Sequence, residues 1–174
     1  RSHSRCDIFP DPGVAGQNRR PNPPPGVATP GGRCEAEALS GELTIDIGID
    51  EADRVAIAEG LSKVLADSYT LYLKTQNYHC NVVGPMFNTL HLLFETHYTE
   101  LALAVDEIAE RIRSLGYVSP GSYAQFIELT QIPEGTGEED AMEMVRNLAA
   151  GHEAAARTAR TVVEAAEPAG DVAT

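Results

Sequence analysis

The chain has 174 residues, 43% of them hydrophobic, and a formal net charge of −13, the size and apolar content of one globular domain with a packed core. The charge is unevenly placed: five arginines against two aspartates put residues 1–34 at +3, and the remainder carries −16. An acidic body repels nucleic acid and attracts cations, no apolar run approaches a membrane span, and three cysteines without a Cys-x-x-Cys pair argue against a disulfide framework, leaving only a Cys6–Cys34 pairing open.

Residues 1–42 contain "PDPG", "RRPNPPPG" and "TPGG". Proline and glycine at this density block helix and supply little surface to bury, so a disordered basic tail is predicted. It lacks the apolar stretch of a signal peptide, and the cytoplasm is the predicted location. The helical body is predicted over 43–174. It opens with "LTIDIGI", residues 43–49, whose alternation fits a short extended arm on the body. Asp50 then reads as the N-cap of a first long helix. That helix carries Ala58, Leu61, Leu65 and Tyr72 at helical spacing and is stopped near Cys80 by "VVGP". Pro85 suits the first position of a second helix. Its apolar stripe is the clearest in the chain: Phe87, Leu90, Phe94, Tyr98, Leu101, Val105, Ile108, Ile112 and Leu115, in steps of three and four. Gly116 ends it. A short helix is predicted around "SYAQFIEL". "TGEE" at 136–139 fits a capping box, with Thr136 as cap and Glu139 reaching back, before a third long helix to about Ala166. The pattern is all-α, with three long helices and no fourth before the chain ends at Thr174.

Polar residues on the second helix carry a second pattern. His91 and Glu95 are four apart, Asp106 and Glu110 are four apart, and eleven residues separate the pairs, so all four share a stripe beside the apolar one. Glu95 and Asp106 are about 16 Å apart along the axis at 1.5 Å per residue, whereas metal ligands sit at about 2 Å. The pairs therefore cannot meet within one helix. An identical helix packed antiparallel across a twofold axis near position 100.5 solves this, because the axis places His91 against Glu110 and Glu95 against Asp106 of the other copy. Small residues, Thr99 and Ala102, flank the axis. His79, at the end of the first helix, folds back beside His91. The expected site thus takes His79, His91 and Glu95 from one chain and Asp106 and Glu110 from another, twice per dimer. Mixed nitrogen and carboxylate ligands suit iron or manganese. His97 lies about 200° around the helix from Glu95, and His152 has only the adjacent Glu153 as acidic company; both read as structural or exposed.

The segment "LYLKTQNYHCNVVGPMFNTLHLLFETHYTELALAVDEIAERIRSLG", residues 71–116, strongly resembles the Dps family, the ferritin-like proteins of starved bacteria that protect DNA. The likeness extends more loosely from "IGIDEADR" to the C-terminus. A histidine, a second twelve later, an acid four later, an acid eleven further on and another after four make up the family's signature, and His79, His91, Glu95, Asp106 and Glu110 satisfy each step. The resemblance implies a ferritin-like four-helix bundle whose fourth helix is missing here. It also implies a ferroxidase centre shared between two subunits, and a hollow dodecamer assembled from twofold dimers. Fe(II) would be the ion bound, hydrogen peroxide its preferred oxidant, and ferric mineral the stored product. Two departures stand out: Cys80 follows His79 where the family usually has tryptophan, and the family's last helix, which should begin near Asp171, is absent, leaving an apolar groove. No histidine has a glutamate three residues before it, which argues against an iron site inside one bundle. Two other readings remain open. One is a nucleoid protein that binds DNA through its basic tail, in the manner of tailed members of the resembled family; the other is a truncated, inactive helical protein.

Overall fold

The computed structural model describes residues 45–174. The predicted tail, and with it the Cys6–Cys34 pairing, lies outside the described residues. The rest is helical: α1 Glu51–Asn81, α2 Phe87–Ser114, α3 Tyr123–Leu129 and α4 Ala141–Ala166. The three long helices predicted from periodicity are present, and α1 packs against α2, α3 and α4 in turn. No helix of the described residues is long and apolar enough to cross a membrane.

Residues 45–49 form no strand. They bend at Gly48 and lay Ile45 and Ile49 against the body. Ile45 Cδ1 lies 2.5 Å from where a Cβ of residue 116 would stand, and residue 116 has φ +100, so glycine is required there twice over. Asp50 is the N-cap of α1, but only its carbonyl acts, accepting from Arg54 N; the side chain makes no capping bond.

The hairpin between α1 and α2 differs slightly from expectation. Val82 turns extended, Gly84 takes φ +103, and Phe87 N donates to Gly84 O at 3.1 Å. Pro85 thus sits inside this tight turn, where its fixed φ suits the second position, and α2 begins two residues later. On α2, Leu90, Phe94, Val105, Ile112 and Leu115 are buried as the stripe requires, while Tyr98, Leu101 and Ile108 are half-buried. Phe87 departs from the stripe and is exposed.

Ser122 and Gln125 form a reciprocal capping box on α3, and Phe126 stacks on Tyr69 of α1 at 4.5 Å. Glu139 does reach back to the amides of Thr136 and Gly137, at 3.1 and 2.8 Å. The cap of α4 is nevertheless Asp140, which accepts from Met142 N and Glu143 N. Glu139 is used otherwise: it accepts a 2.9 Å bond from the hydroxyl of Tyr78, in the last turns of α1. Burial pushes the Glu139 carboxyl up, but its own amide, Tyr78 and Thr136 hold it down to about 2. Tyr78 is itself fully buried, and its phenol is pushed up to about 12, first by desolvation. Gly135 permits this packing, because a Cβ there would stand 2.7 Å from the Tyr78 ring. Farther along α1, buried Asp67 accepts from Thr130 and Thr158 hydroxyls and from Gln131 N, at 2.7 to 2.8 Å, and ties α1 to both α4 and the loop before it.

Two apolar clusters fill the interior. One includes Ile57, Leu65, Ile112 and Val162; the other includes Leu71, Tyr78, Leu90, Phe94, Met144 and Leu148 and lies next to the α1–α2 turn. That second cluster fixes the helix ends that carry the histidines.

Candidate metal centre

His79 lies in the last turn of α1 and His91 in the second turn of α2. The hairpin brings them face to face, with ring centroids 3.7 Å apart and planes 19° apart. Each ring bonds the other residue's backbone: His79 Nδ1 donates to His91 O at 2.8 Å, and His91 Nδ1 donates to His79 O at 2.9 Å. A carbonyl only accepts, so both Nδ1 atoms carry the proton. The lone pair of each neutral imidazole then lies on Nε2, and neither Nε2 has a hydrogen-bond partner among the described residues. Locking one ring nitrogen to a carbonyl to expose the other as a ligand is the usual support for a metal-binding histidine.

Aromatic rings frame the pair. Phe87 stacks on the outer face of His91 at 5.0 Å, the edge of Tyr98 meets His79 at 5.2 Å, and Tyr72 stands beyond Tyr98 at 6.2 Å. Burial raises the Tyr98 phenol, helped by the negative charge of Glu95 and by Cys80. These framing roles were hidden in the sequence, where Phe87, Tyr72 and Tyr98 read as apolar stripe residues. The available signal was spacing from His91: Phe87 one turn before it and Tyr98 two turns after.

The three acids are placed differently. Glu95, Asp106 and Glu110 are all exposed on the outward side of α2, as are Thr99 and Ala102 between them. Leu92 and Leu103, 53% and 68% exposed, lie on the same outward side. Among the described residues no three His, Cys, Asp or Glu side chains converge on a point that could hold a metal ion. One chain therefore brings together His79 and His91 and leaves the carboxylates turned away from its own core. Cys80 is exposed beside the pair. A cleft of about 830 Å³ between α1, α3 and residues 130–135 contains none of the five and is mainly apolar around Lys74.

His97 and His152, read from sequence as structural or exposed, face each other across a groove between α2 and α4 with ring centroids 6.1 Å apart. His97, Glu100, Leu101, Ala104 and His152 line this groove, about 270 Å³ in volume, which the described residues leave uncovered.

An α1–α2 hairpin with a locked histidine pair, α4 returning against α1, and a line of outward carboxylates on α2 define a protein of the ferritin-like class. The ferritin-like domain family matches residues 58–174. An uncharacterized low temperature-induced protein of Nostoc is 42% identical over 121 residues, covering 69% of this chain and 68% of that protein. The DNA protection during starvation protein of Brevibacillus brevis is 41% identical over 92 residues, 53% of this chain and 62% of that one. Among solved structures, the Dps protein of Vibrio cholerae O1, described as one of the ferritin-like diiron-carboxylate proteins, superposes with a TM-score of 0.71 at 34% identity, over 74% of this chain and 80% of that one. The chain belongs to the Dps family of ferritin-like proteins.

Proposed function

We propose that the protein oxidises Fe(II), preferably with hydrogen peroxide, at a centre shared between two subunits. The ferric product is retained within a dodecamer in the cytoplasm, and DNA is thereby protected from oxidative damage. The observation that carries this reading is the reciprocal lock of His79 and His91, which leaves both Nε2 atoms as free ligands. Relatives bearing DNA-protection names and the diiron-carboxylate description of the Vibrio cholerae protein support it.

The two rings are nearly parallel and 3.7 Å apart. A ligand's lone pair lies in its ring plane, so parallel stacked rings cannot both aim at one ion. They suit two neighbouring ions, one histidine each, with Glu95 and the partner's Asp106 and Glu110 supplying oxygen. Carboxylates favour Fe(III) over Fe(II), which makes oxidation downhill at such a site. Two Fe(II) ions supply the two electrons that reduce one hydrogen peroxide, with two protons, to two waters. Paired delivery avoids the one-electron reduction that releases hydroxyl radical. The aromatic frame of Phe87, Tyr98 and Tyr72 limits water around the histidines.

The test is ferric absorbance after adding Fe(II) and stoichiometric peroxide to the assembled protein. His79→Ala and His91→Ala are each expected to lose most of the rate above buffer, since in each variant one of the two ions loses its only nitrogen ligand and the paired oxidation needs both. Variants as fast as the parent protein would refute the assignment.

A further inference from the structure

We infer that the loop over residues 133–139 is a latch for His79: it grips the last two turns of α1 through Lys74, Asn77 and Tyr78 and so keeps the histidine pair locked. Asn77 and Tyr78 are thereby positioning residues. Their service to iron rests on the proposed function; their hold on the histidine pair does not.

The lock depends on where α1 stops. Val82 turns extended after donating its amide to Tyr78 O, so the helix's own amides end there. His79 O, one position later, belongs to the carbonyls that a helix end leaves without an internal donor, and it accepts from His91 Nδ1 instead. A helix end opens at little cost unless other groups hold it. Unwinding of this turn would carry off both His79 O and the His79 ring, and would break the two bonds of the lock together.

Three bonds oppose this, and all run to one short loop. Lys74 Nζ donates to Pro133 O at 2.9 Å, Asn77 Nδ2 to Gly135 O at 3.1 Å, and the Tyr78 hydroxyl to Glu139 Oε1 at 2.9 Å. Positions 74, 77 and 78 share one face of the helix. Tyr78 is fully buried and Lys74 nearly so, and their bonds, once lost, leave polar groups without water. Asn147 of α4 adds a 3.2 Å bond to the Tyr78 hydroxyl.

The backbone of the loop is shaped for this grip. A Cβ at residue 135 would stand 2.7 Å from the Tyr78 ring, and one at residue 137, where φ is +82, would stand 2.6 Å from Asn77 Oδ1. The Glu139 carboxylate that receives Tyr78 is itself held by the amides of Thr136 and Gly137. Tyr78 directly precedes His79. Fixing its side chain therefore fixes the direction in which the His79 ring leaves α1, about 100° farther around the helix.

The experiment begins with the assembled protein free of iron. Hydrogen exchange is followed by mass spectrometry in the segment 79–83, where the Val82 amide reports the helix end. Tyr78→Phe keeps the buried ring and removes one bond, and should speed that exchange about fivefold; adding Asn77→Ala should speed it further. Thr158→Val removes one bond from the core elsewhere and should leave the segment unchanged, whereas a merely structural Tyr78 would act no differently from Thr158. In protein labelled with 15N-histidine, Nδ1–H is expected on His79 and His91. Asn77→Ala with Tyr78→Phe should move both towards the Nε2–H form that a free neutral imidazole prefers. With Fe(II) and peroxide added, the Fe(II) needed for half the maximal rate should rise in that double variant while the maximal rate is retained, because binding must first re-form the pair. Exchange at 79–83 that ignores Tyr78→Phe, or that Thr158→Val speeds as much, overturns the latch. So do native tautomers in the double variant, or a native half-saturation; should that variant fail to fold, exchange in Tyr78→Phe alone decides. A native chain that does not oxidise Fe(II) refutes the proposed centre instead, and the exchange and tautomer results still decide the latch.

Discussion

The proposed intersubunit centre makes a prediction that an intrachain centre cannot. His91→Ala removes a ligand contributed by one face of the dimer, and Asp106→Ala removes one contributed by the other. Glu95 and Asp106 of one chain are about 16 Å apart along α2, far beyond the reach of shared ligation. Each variant alone therefore breaks every site. In a dimer containing one chain of each, one site combines both defects. The other takes His79, His91 and Glu95 from the Asp106→Ala chain and Asp106 and Glu110 from the His91→Ala chain, and is complete. Random assembly from equal amounts makes about half of the dimers mixed, and half of their sites intact, so about one quarter of the native rate should return. The assay is ferric absorbance after Fe(II) and peroxide, on the two variants unfolded together and refolded, with mixed dimers verified by mass. Verified mixed dimers as inactive as either parent would refute the shared centre.

Two further predictions concern the framework. The Glu139 carboxyl is held at about 2 in the fold against a reference value of 4.5. A depressed folded pKa stabilises above the unfolded pKa and loses that stabilisation as acid is added. The difference in denaturation midpoint between the native chain and Glu139→Gln should therefore be full at pH 6 and shrink as pH falls from about 4.5 towards 2; a difference independent of pH would contradict the assignment. Asp67→Ala deprives two hydroxyls and one amide of their buried acceptor, and at about 1 kcal/mol or more each should cost about 3–5 kcal/mol in urea unfolding, with Thr158→Val costing about 1 kcal/mol as a control.

The long helices were legible because their burial follows a period that the sequence displays openly. Phe94, Val105 and Ile112 fall at core spacing on α2 and are buried there. Boundaries were less legible where one side chain had two plausible uses. Glu139 has the spacing of a capping-box acid relative to Thr136, yet Tyr78, sixty-one residues earlier, also bonds it, and Asp140 takes over the capping of α4. Pro85 fits a helix start or a tight turn, and Gly84 at positive φ decides for the turn. The nearness of His79 to His91 followed from folding the hairpin back on itself. Their mutual hydrogen bonds did not, because a bond from a ring to a carbonyl on a neighbouring helix leaves no trace in residue spacing. The pairing of His97 with His152 was invisible for the same reason: it depends on how α4 is rotated against α2, and each histidine lacks a ligand-spaced partner on its own helix.

The division of labour along α2 has a chemical consequence. A single chain presents two nitrogen ligands in a preorganised pair, with Glu95 one turn beyond His91 and with Asp106 and Glu110 about four turns or more farther along α2. Carboxylates favour Fe(III) more than nitrogen ligands do, so on the proposed function an unassembled chain, with Glu95 as the one carboxylate beside its two histidines, would promote oxidation less than the completed site. On the proposed function, Asp106 and Glu110 of a second chain complete the oxygen ligands around the two ion positions that the histidines mark. On the proposed function, oxidation is then confined to assembled protein, where a second ion is present to give the second electron and where the ferric product has a shell to enter. On that reading, Asp106 and Glu110, which look wasted on one chain, make the reaction conditional on the other.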